Sequence, residues 1–204
     1  MIYLLDLVSL PENAPCSHVR FQELETLRNP SLIRQKRGAE ALLWHAFAHA
    51  FPGEKYPFDY PRTAAGKPYF PKYPDFHFSL SHARGYVLCA AYCKPCGADL
   101  EAVGRVGEAV CTRFFHPIEC AFLSRCTPQQ RHAAAAQIWC LREAYGKALG
   151  IGLSGVGTDF WALPNGENNA AGWNLRAYLP IQGFAAAVCV QDTQMDLQIL
   201  TVHL

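Results

Sequence analysis

The chain has 204 residues, enough for one domain or for two small halves that share a core. Half of the residues are hydrophobic and 17% are charged, which excludes a disordered or low-complexity protein. A net charge of +1 is far from the strongly basic balance of a protein whose main work is neutralising nucleic-acid phosphates.

The opening segment, MIYLLDLVSLPE, carries no basic n-region and its apolar run stops at Asp6, so no signal peptide is expected. Apolar runs elsewhere fall short of the ~20 residues a membrane span requires. A soluble, cytoplasmic protein is the expectation. The nine cysteines are odd in number and scattered, which suits reduced thiols. One pair, Cys93-Lys94-Pro95-Cys96, has the spacing of a zinc or redox motif. It has no second paired element and sits between two strand-like runs, so it reads as a turn.

In chain order, Ile2 to Val8 reads as a strand. Residues 33–51 place Leu42, Leu43, Ala46, Phe47, Ala50 and Phe51 at helical spacing, and Pro52-Gly53 stops the run. A loop rich in proline and aromatics covers 54–75. Alternating runs at 76–82 and 86–92 flank Arg84-Gly85, a tight turn. The order then repeats: a strand at 97–103, short helical pieces over 107–125, the longest helix at 129–150, and strands at 173–179, 184–190 and 196–202. Gly85-Tyr86 and Gly183-Phe184 open matching runs. The predicted fold class is therefore α+β: two similar β-α-β-β halves, 1–95 and 96–204, related by a pseudo-two-fold axis. Each half is a small antiparallel sheet on a long helix, with a ligand site between them.

Three groups of residues carry chemistry. Asp99 and Glu101 lie two apart on a strand and share a face. Two such charges about 4 Å apart repel by roughly 4 kcal/mol at an effective dielectric of about 20. Exposure, protonation or a bound cation would relieve this. On the long helix, Ala134, Ile138, Leu141, Tyr145 and Ala148 form the core stripe. Trp139, Glu143 and Lys147 line up on the other face among small residues. This is either the floor of a covered site or an exposed Glu–Lys pair beside a tryptophan. Finally, Gly66-Lys67-Pro68 precedes His77-Phe78-Ser79-Leu80-Ser81-His82. Ser81 and His82 can donate to an anion, with Lys67 and Arg37 adding charge. No Walker loop or Rossmann glycine pattern occurs, so a phosphate site would be built from side chains and a metal.

GKPYF (66–70), FHFSLSHA (76–83), GADLE (97–101) and WCLREAYGKALGIGL (139–153) resemble the ordered motifs of the 4′-phosphopantetheinyl transferases, of the monomeric, double-length type that activates surfactin synthetase. The resemblance implies Mg²⁺-dependent transfer of the 4′-phosphopantetheine arm of coenzyme A to a serine of an apo acyl or peptidyl carrier protein, releasing 3′,5′-ADP. It implies Asp99, Glu101 and Glu143 as metal ligands, Lys147 on the pyrophosphate, and Lys67, Ser81 and His82 at the nucleotide end. Arg37 matches a further nucleotide contact, with Arg34 the neighbouring alternative. Asp99, Glu143 and Lys147 would be the catalytic set, Glu143 taking the serine proton. The chain departs from the family in having Arg142 where lysine is usual. The segment 104–127, with Arg105, Arg113 and Arg125, is the expected carrier-facing surface. A metal-dependent phosphoesterase and a non-catalytic coenzyme A-binding protein are the alternatives.

Overall fold

A computed structural model describes residues 1–12, 14, 24–56 and 60–204. Strand β1 (Ile2–Asp6) ends sooner than the apolar run suggests, because the Asp6 carboxylate accepts from the Val8 amide at 2.9 Å and turns Leu7–Ser9 into a 3-10 turn. Helix α1 (Pro30–Ala50) begins three residues before the predicted start at 33. Its cap supplies the reason: Asn29 Oδ1 accepts from the Ser31 and Leu32 amides, and Pro30 occupies the first turn.

Strands β2 (His77–Ala83) and β3 (Tyr86–Tyr92) form a hairpin across Arg84-Gly85. Both turn residues have positive φ, 41° and 93°, as a two-residue hairpin of this hand requires. Strand β4 (Cys96–Ala102) follows at once. Cys93 lies exposed in the connection, while Cys96 opens β4 fully buried, with its thiol donating to the His77 and Ala90 carbonyls. All cysteines of the described residues are free thiols; Cys16 lies outside those residues.

Short helices α2 (Glu108–Phe114) and α3 (Pro117–Arg125) lead into the long helix α4 (Pro128–Leu149). A reciprocal Thr127–Gln130 capping box starts α4, and Gly150, at φ 72°, closes it. After one helical turn, α5 (Gly152–Gly155), the chain ends in β5 (Asn174–Ile181), β6 (Phe184–Val190) and β7 (Ile199–Val202).

The strands form two small sheets, β2-β3-β1-β7 and β4-β6-β5. The first is not wholly antiparallel: β7 returns from the end of the chain to lie parallel to β1. Alternation along the strands builds three cores. Val87 and Cys89 of β3 face α1, whereas Leu88 and Ala90 face the second sheet. Ala186 and Val188 of β6 meet them there, and Ala185, Ala187 and Cys189 face α4. The layers are therefore helix, sheet, sheet, helix. No helix among the described residues is long and apolar enough to cross a membrane.

The second sheet meets α4 at unusually short range. A Cβ on Gly97 would stand 1.9 Å from the Ala144 carbonyl oxygen and 2.5 Å from the Ala148 amide nitrogen, both rigid helix backbone. Gly97→Ala must push α4 off β4. The expected loss of stability is about 3 kcal/mol or more, at the upper end for overpacking, read from urea unfolding. A loss below ~0.5 kcal/mol, the range of a neutral surface change, would contradict this packing.

Candidate active site

Because Ala98 and Leu100 of β4 point between the sheets, Gly97, Asp99 and Glu101 point toward α4. One edge of β4 pairs with β6. Its other edge is served by the inner face of β2 through side chains. The Ala98 amide donates to Ser79 Oγ at 3.0 Å and the Leu100 amide to Ser81 Oγ at 3.2 Å. Two hydroxyls thus replace a backbone ladder and leave no bare strand edge there. Ser81 Oγ then donates to Asp99 Oδ1 at 2.9 Å. Lys147 Nζ, from α4, reaches the same oxygen at 2.6 Å and the Ala98 carbonyl at 3.2 Å.

Asp99 is 7% exposed, yet 31% of the Lys147 side chain still meets solvent. Burial pulls the Lys147 pKa down, but the Asp99 carboxylate, its hydrogen bond and Glu143 outweigh that, and the ammonium is held above its ordinary value. The Glu143 carboxyl is pushed up, first by burial and then by the negative fields of Asp99 and Glu101, with Lys147 opposing. Glu101 Oε1 accepts from the Ala102 amide and stands 3.8 Å from the Arg105 guanidinium. The Trp139–Glu143–Lys147 row is half-buried, and Trp139 lies edge-on to Phe114 of α2 at 5.7 Å. It is the floor of a partly covered site.

A cleft of about 370 Å³ opens beside this group. Lys36, Arg62, Lys67, Lys147 and His82 line it, with no acidic residue in its wall among the described residues. The loop carrying Lys67 is anchored to α1: Tyr60 donates to the buried Glu40 at 2.8 Å, and Phe70 packs edge-on to Phe47 at 5.6 Å. Lys67 Nζ donates to the carbonyls of Cys96 (3.1 Å) and Ala148 (2.8 Å), so its charge sits on the last turn of α4. Burial lowers its pKa. His82 is exposed at the cleft; local desolvation, then Lys147 and Lys36, keep its pKa below the usual imidazole value.

The structure thus brings together Asp99, Glu101, Glu143 and Lys147, ties Ser81 to Asp99, and sets Lys67 and His82 in the cleft wall. Arg37 is not in that wall. Its Nη1 donates to the Glu12 carbonyl, and its buried Nε meets no partner among the described residues. Arg34 is spent on the Leu7 and Leu10 carbonyls. Lys36 and Arg62 are the cleft cations that sequence reasoning missed, as it missed Ser79. Arg142 is buried on Glu119, on the side of α4 away from β4.

Three carboxylates offering only oxygen suit a hard divalent ion such as Mg²⁺, and the mutual field at Glu143 is the kind a cation would relieve. Among the described residues, no three His, Cys, Asp or Glu side chains already stand in ligating arrangement. Lys147 on Asp99 and Arg105 beside Glu101 supply positive charge instead. The donor set fits such an ion once these side chains turn toward it.

The strand and helix that build this site lie in a stretch of the chain that is similar to known proteins. Residues 95–192, which carry Asp99, Glu101, Glu143 and Lys147, match the model of the 4′-phosphopantetheinyl transferase superfamily. A 4′-phosphopantetheinyl transferase of Bacillus subtilis is 37% identical over 89 residues, 44% of this chain and 40% of that protein. The 4′-phosphopantetheinyl transferase Sfp of Bacillus subtilis (strain 168) is 33% identical over 89 residues, 44% and 40% of the two chains. HetI, a 4′-phosphopantetheinyl transferase of Nostoc sp. (strain PCC 7120), is 32% identical over 120 residues, 55% and 51%. The matched stretches therefore span about two fifths to a half of these relatives.

Two expectations test this geometry. Removing the Ser81 hydroxyl leaves the Leu100 amide without its acceptor, and an unmet buried donor costs ~1–3 kcal/mol. Ser81→Ala should show that loss in urea unfolding; an unchanged midpoint would mean that β4 has another partner. The raised Glu143 pKa means that the folded chain binds more protons than the unfolded one between the ordinary carboxyl value and the raised one. Stability therefore falls as pH rises through that window. Glu143→Gln, which mimics the protonated form, should be the more stable protein at pH 7 in chelator, with the advantage gone below about pH 4. An equal difference at both pH values would contradict the assignment.

Proposed function

We propose that the protein transfers the 4′-phosphopantetheine arm of coenzyme A to a serine of an apo acyl or peptidyl carrier protein, releasing 3′,5′-ADP. The observation that carries this reading is the convergence of three carboxylates and Lys147 beside a cleft whose charged lining, among the described residues, is basic. A basic cleft next to carboxylates suits a polyanionic ligand with its pyrophosphate at the carboxylate end. The family match and the names borne by the relatives support the same chemistry.

In this reading the carrier serine oxygen forms a bond to the phosphorus that bears the pantetheine arm. The bond from that phosphorus to the bridging oxygen breaks, and 3′,5′-ADP leaves with the electron pair. Mg²⁺ held by Asp99, Glu101 and Glu143 would neutralise pyrophosphate charge. Glu143, its pKa already lifted, takes the serine proton directly or through one water. Lys147 turns from Asp99 to a pyrophosphate oxygen, a move its solvent-exposed third permits. Ser81 keeps Asp99 aimed. His82, Lys36 and Arg62 receive the nucleotide end, while Lys67 shares its ammonium between carbonyls and phosphate. Arg37, which the described cleft wall does not include, is kept as a further nucleotide contact on the resemblance alone. Phosphoryl-type transfer asks mainly for such positioning and neutralisation.

The pseudo-two-fold relation of the halves 1–95 and 96–204 belongs to the same reading, as does action by a cytoplasmic monomer. The segment 104–127 would receive an acidic carrier through Arg105, Arg113 and Arg125.

The test is a mass-shift assay on a panel of apo carrier proteins with coenzyme A and Mg²⁺. Modification of a carrier with release of 3′,5′-ADP is expected; breakdown of coenzyme A without any carrier would point to a phosphoesterase instead. Asp99→Ala and Glu143→Ala should each lower turnover at least ~100-fold, equivalent to ~2.7 kcal/mol. Glu143→Gln should be nearly as damaging with coenzyme A binding retained. Lys36→Ala and His82→Ala should weaken coenzyme A binding roughly 10- to 100-fold, the worth of a charge-assisted hydrogen bond. The gap should narrow with 3′-dephospho-coenzyme A for whichever residue meets the 3′-phosphate.

A further inference from the structure

We propose that Arg142 is a positioning residue for the transfer: it clamps α3 and the 157–162 segment onto α4 and thereby fixes the setting of Glu143. This rests on the transferase reading above. Arg142 and Glu119 are the most deeply buried ion pair of the described residues, with side chains 2% and 0% exposed. Arg142 Nη1 donates to both Glu119 oxygens, at 3.3 and 3.0 Å, and to the Phe160 carbonyl at 2.8 Å. Its Nη2 donates to the Gly157 carbonyl at 3.2 Å. The same Glu119 carboxylate accepts from the His116 amide at 2.8 Å and the Ala162 amide at 3.1 Å. One pair of side chains therefore closes the start of α3, both ends of the 157–162 segment and the middle of α4.

Stability alone does not account for it. A buried ion pair is often no better than an apolar pair of similar volume, and this one leaves the Arg142 Nε without a partner among the described residues. Its geometry does something an apolar pair cannot. On a helix, residue 142 lies about 200° round from Ala144, whose carbonyl is pressed against Gly97 of β4. Helix α4 is thus gripped on two opposite sides, and Glu143 projects between the grips toward Asp99. The Arg142 guanidinium also lies over the Phe160 ring at 5.4 Å, and that ring stacks on Tyr145 at 4.4 Å, between Glu143 and Lys147 in sequence. Rolling α4 would carry Glu143 away from its place, and a 1 Å misplacement costs on the order of 100-fold in rate. A lysine, with one compact ammonium, could not reach Glu119, Phe160 and Gly157 together. The arginine is the specific choice for this three-way hold.

The experiment replaces the pair by apolar residues in the full chain, Arg142→Met with Glu119→Leu, and measures unfolding, coenzyme A affinity and transfer to an apo carrier. The double variant should fold with a midpoint at or above wild type, bind coenzyme A within ~3-fold, and turn over about 10- to 100-fold more slowly. Arg142→Lys should recover part of the turnover, and hydrogen exchange at 157–162 should be faster in both variants. A folded double variant with wild-type turnover would overturn the positioning role, and so would a fall in coenzyme A affinity parallel to turnover. If the double variant does not fold, Arg142→Lys decides: slowed turnover with unchanged coenzyme A affinity supports the clamp, and wild-type turnover overturns it. A wild-type chain inactive on every carrier would sink the transferase reading and this role with it.

Discussion

With only a hydrogen at position 97, helix α4 lies on strand β4 close enough for the Lys147 ammonium to reach Asp99 at 2.6 Å and the Ala98 carbonyl at 3.2 Å. Everything at the site hangs from that approach. Push the helix out by the width of a methyl group and Lys147 loses the oxygen that holds its charge in a half-buried position. Glu143 then moves away from the strand whose carboxylates raise its pKa. The alanines of β6 that face α4, Ala185 and Ala187, serve the same end, since larger side chains there would lift the helix from the sheet.

The second constraint is the seam between the sheets. Strand β4 could have offered a bare edge, a liability in any small sheet. Ser79 and Ser81 fill the acceptor positions from β2, and Ser81 spends its proton on Asp99. The same hydroxyl that closes the seam therefore aims a carboxylate at the site. The basic wall is contributed largely by the first half of the chain and the acidic group by the second. Separation of the sheets would take the cleft apart, and the apolar contacts of Leu88, Leu100 and Val188 between them resist this.

Much of this was legible in the sequence, and the limits have physical causes. The period-2 spacing of Asp99 and Glu101 set them on one face, and the row of Trp139, Glu143 and Lys147 on α4 follows from helical geometry alone. Local signals also fixed the Arg84-Gly85 hairpin. What failed were questions of rotation and of distant partners. One helical residue is 100° of turn, so motifs that pointed to Arg37 could not show that its neighbour Lys36 lines the cleft. The Gly66-Lys67-Pro68 motif located Lys67 but not the Ala148 carbonyl that takes its ammonium, 81 positions away. Nothing local marks Glu119 as the partner of Arg142, 23 residues on. The parallel return of β7 to β1 is likewise a decision of tertiary packing, because a short apolar strand carries no address.

Charge balance lets three carboxylates share the site without forcing it apart. Three carboxylates crowd a half-buried space, and each pair of unit charges about 4 Å apart repels by roughly 4 kcal/mol at an effective dielectric of about 20. Lys147 on Asp99 and Arg105 beside Glu101 offset part of that cost, while burial and the fields of Asp99 and Glu101 hold the Glu143 carboxyl above its ordinary value. Neither cation is sealed in place: the Arg105 side chain is 62% exposed and that of Lys147 is 31% exposed. Arg105 can leave Glu101 at the modest cost of a solvated ion pair, whereas Lys147 can leave the buried Asp99 carboxylate only toward another anionic partner. Arg142 differs in kind, since Glu119 and the backbone carbonyls around it leave it nowhere to turn. Arg142 and Lys147, five residues apart on different faces of α4, are thus a cation fixed in place and one that still meets solvent.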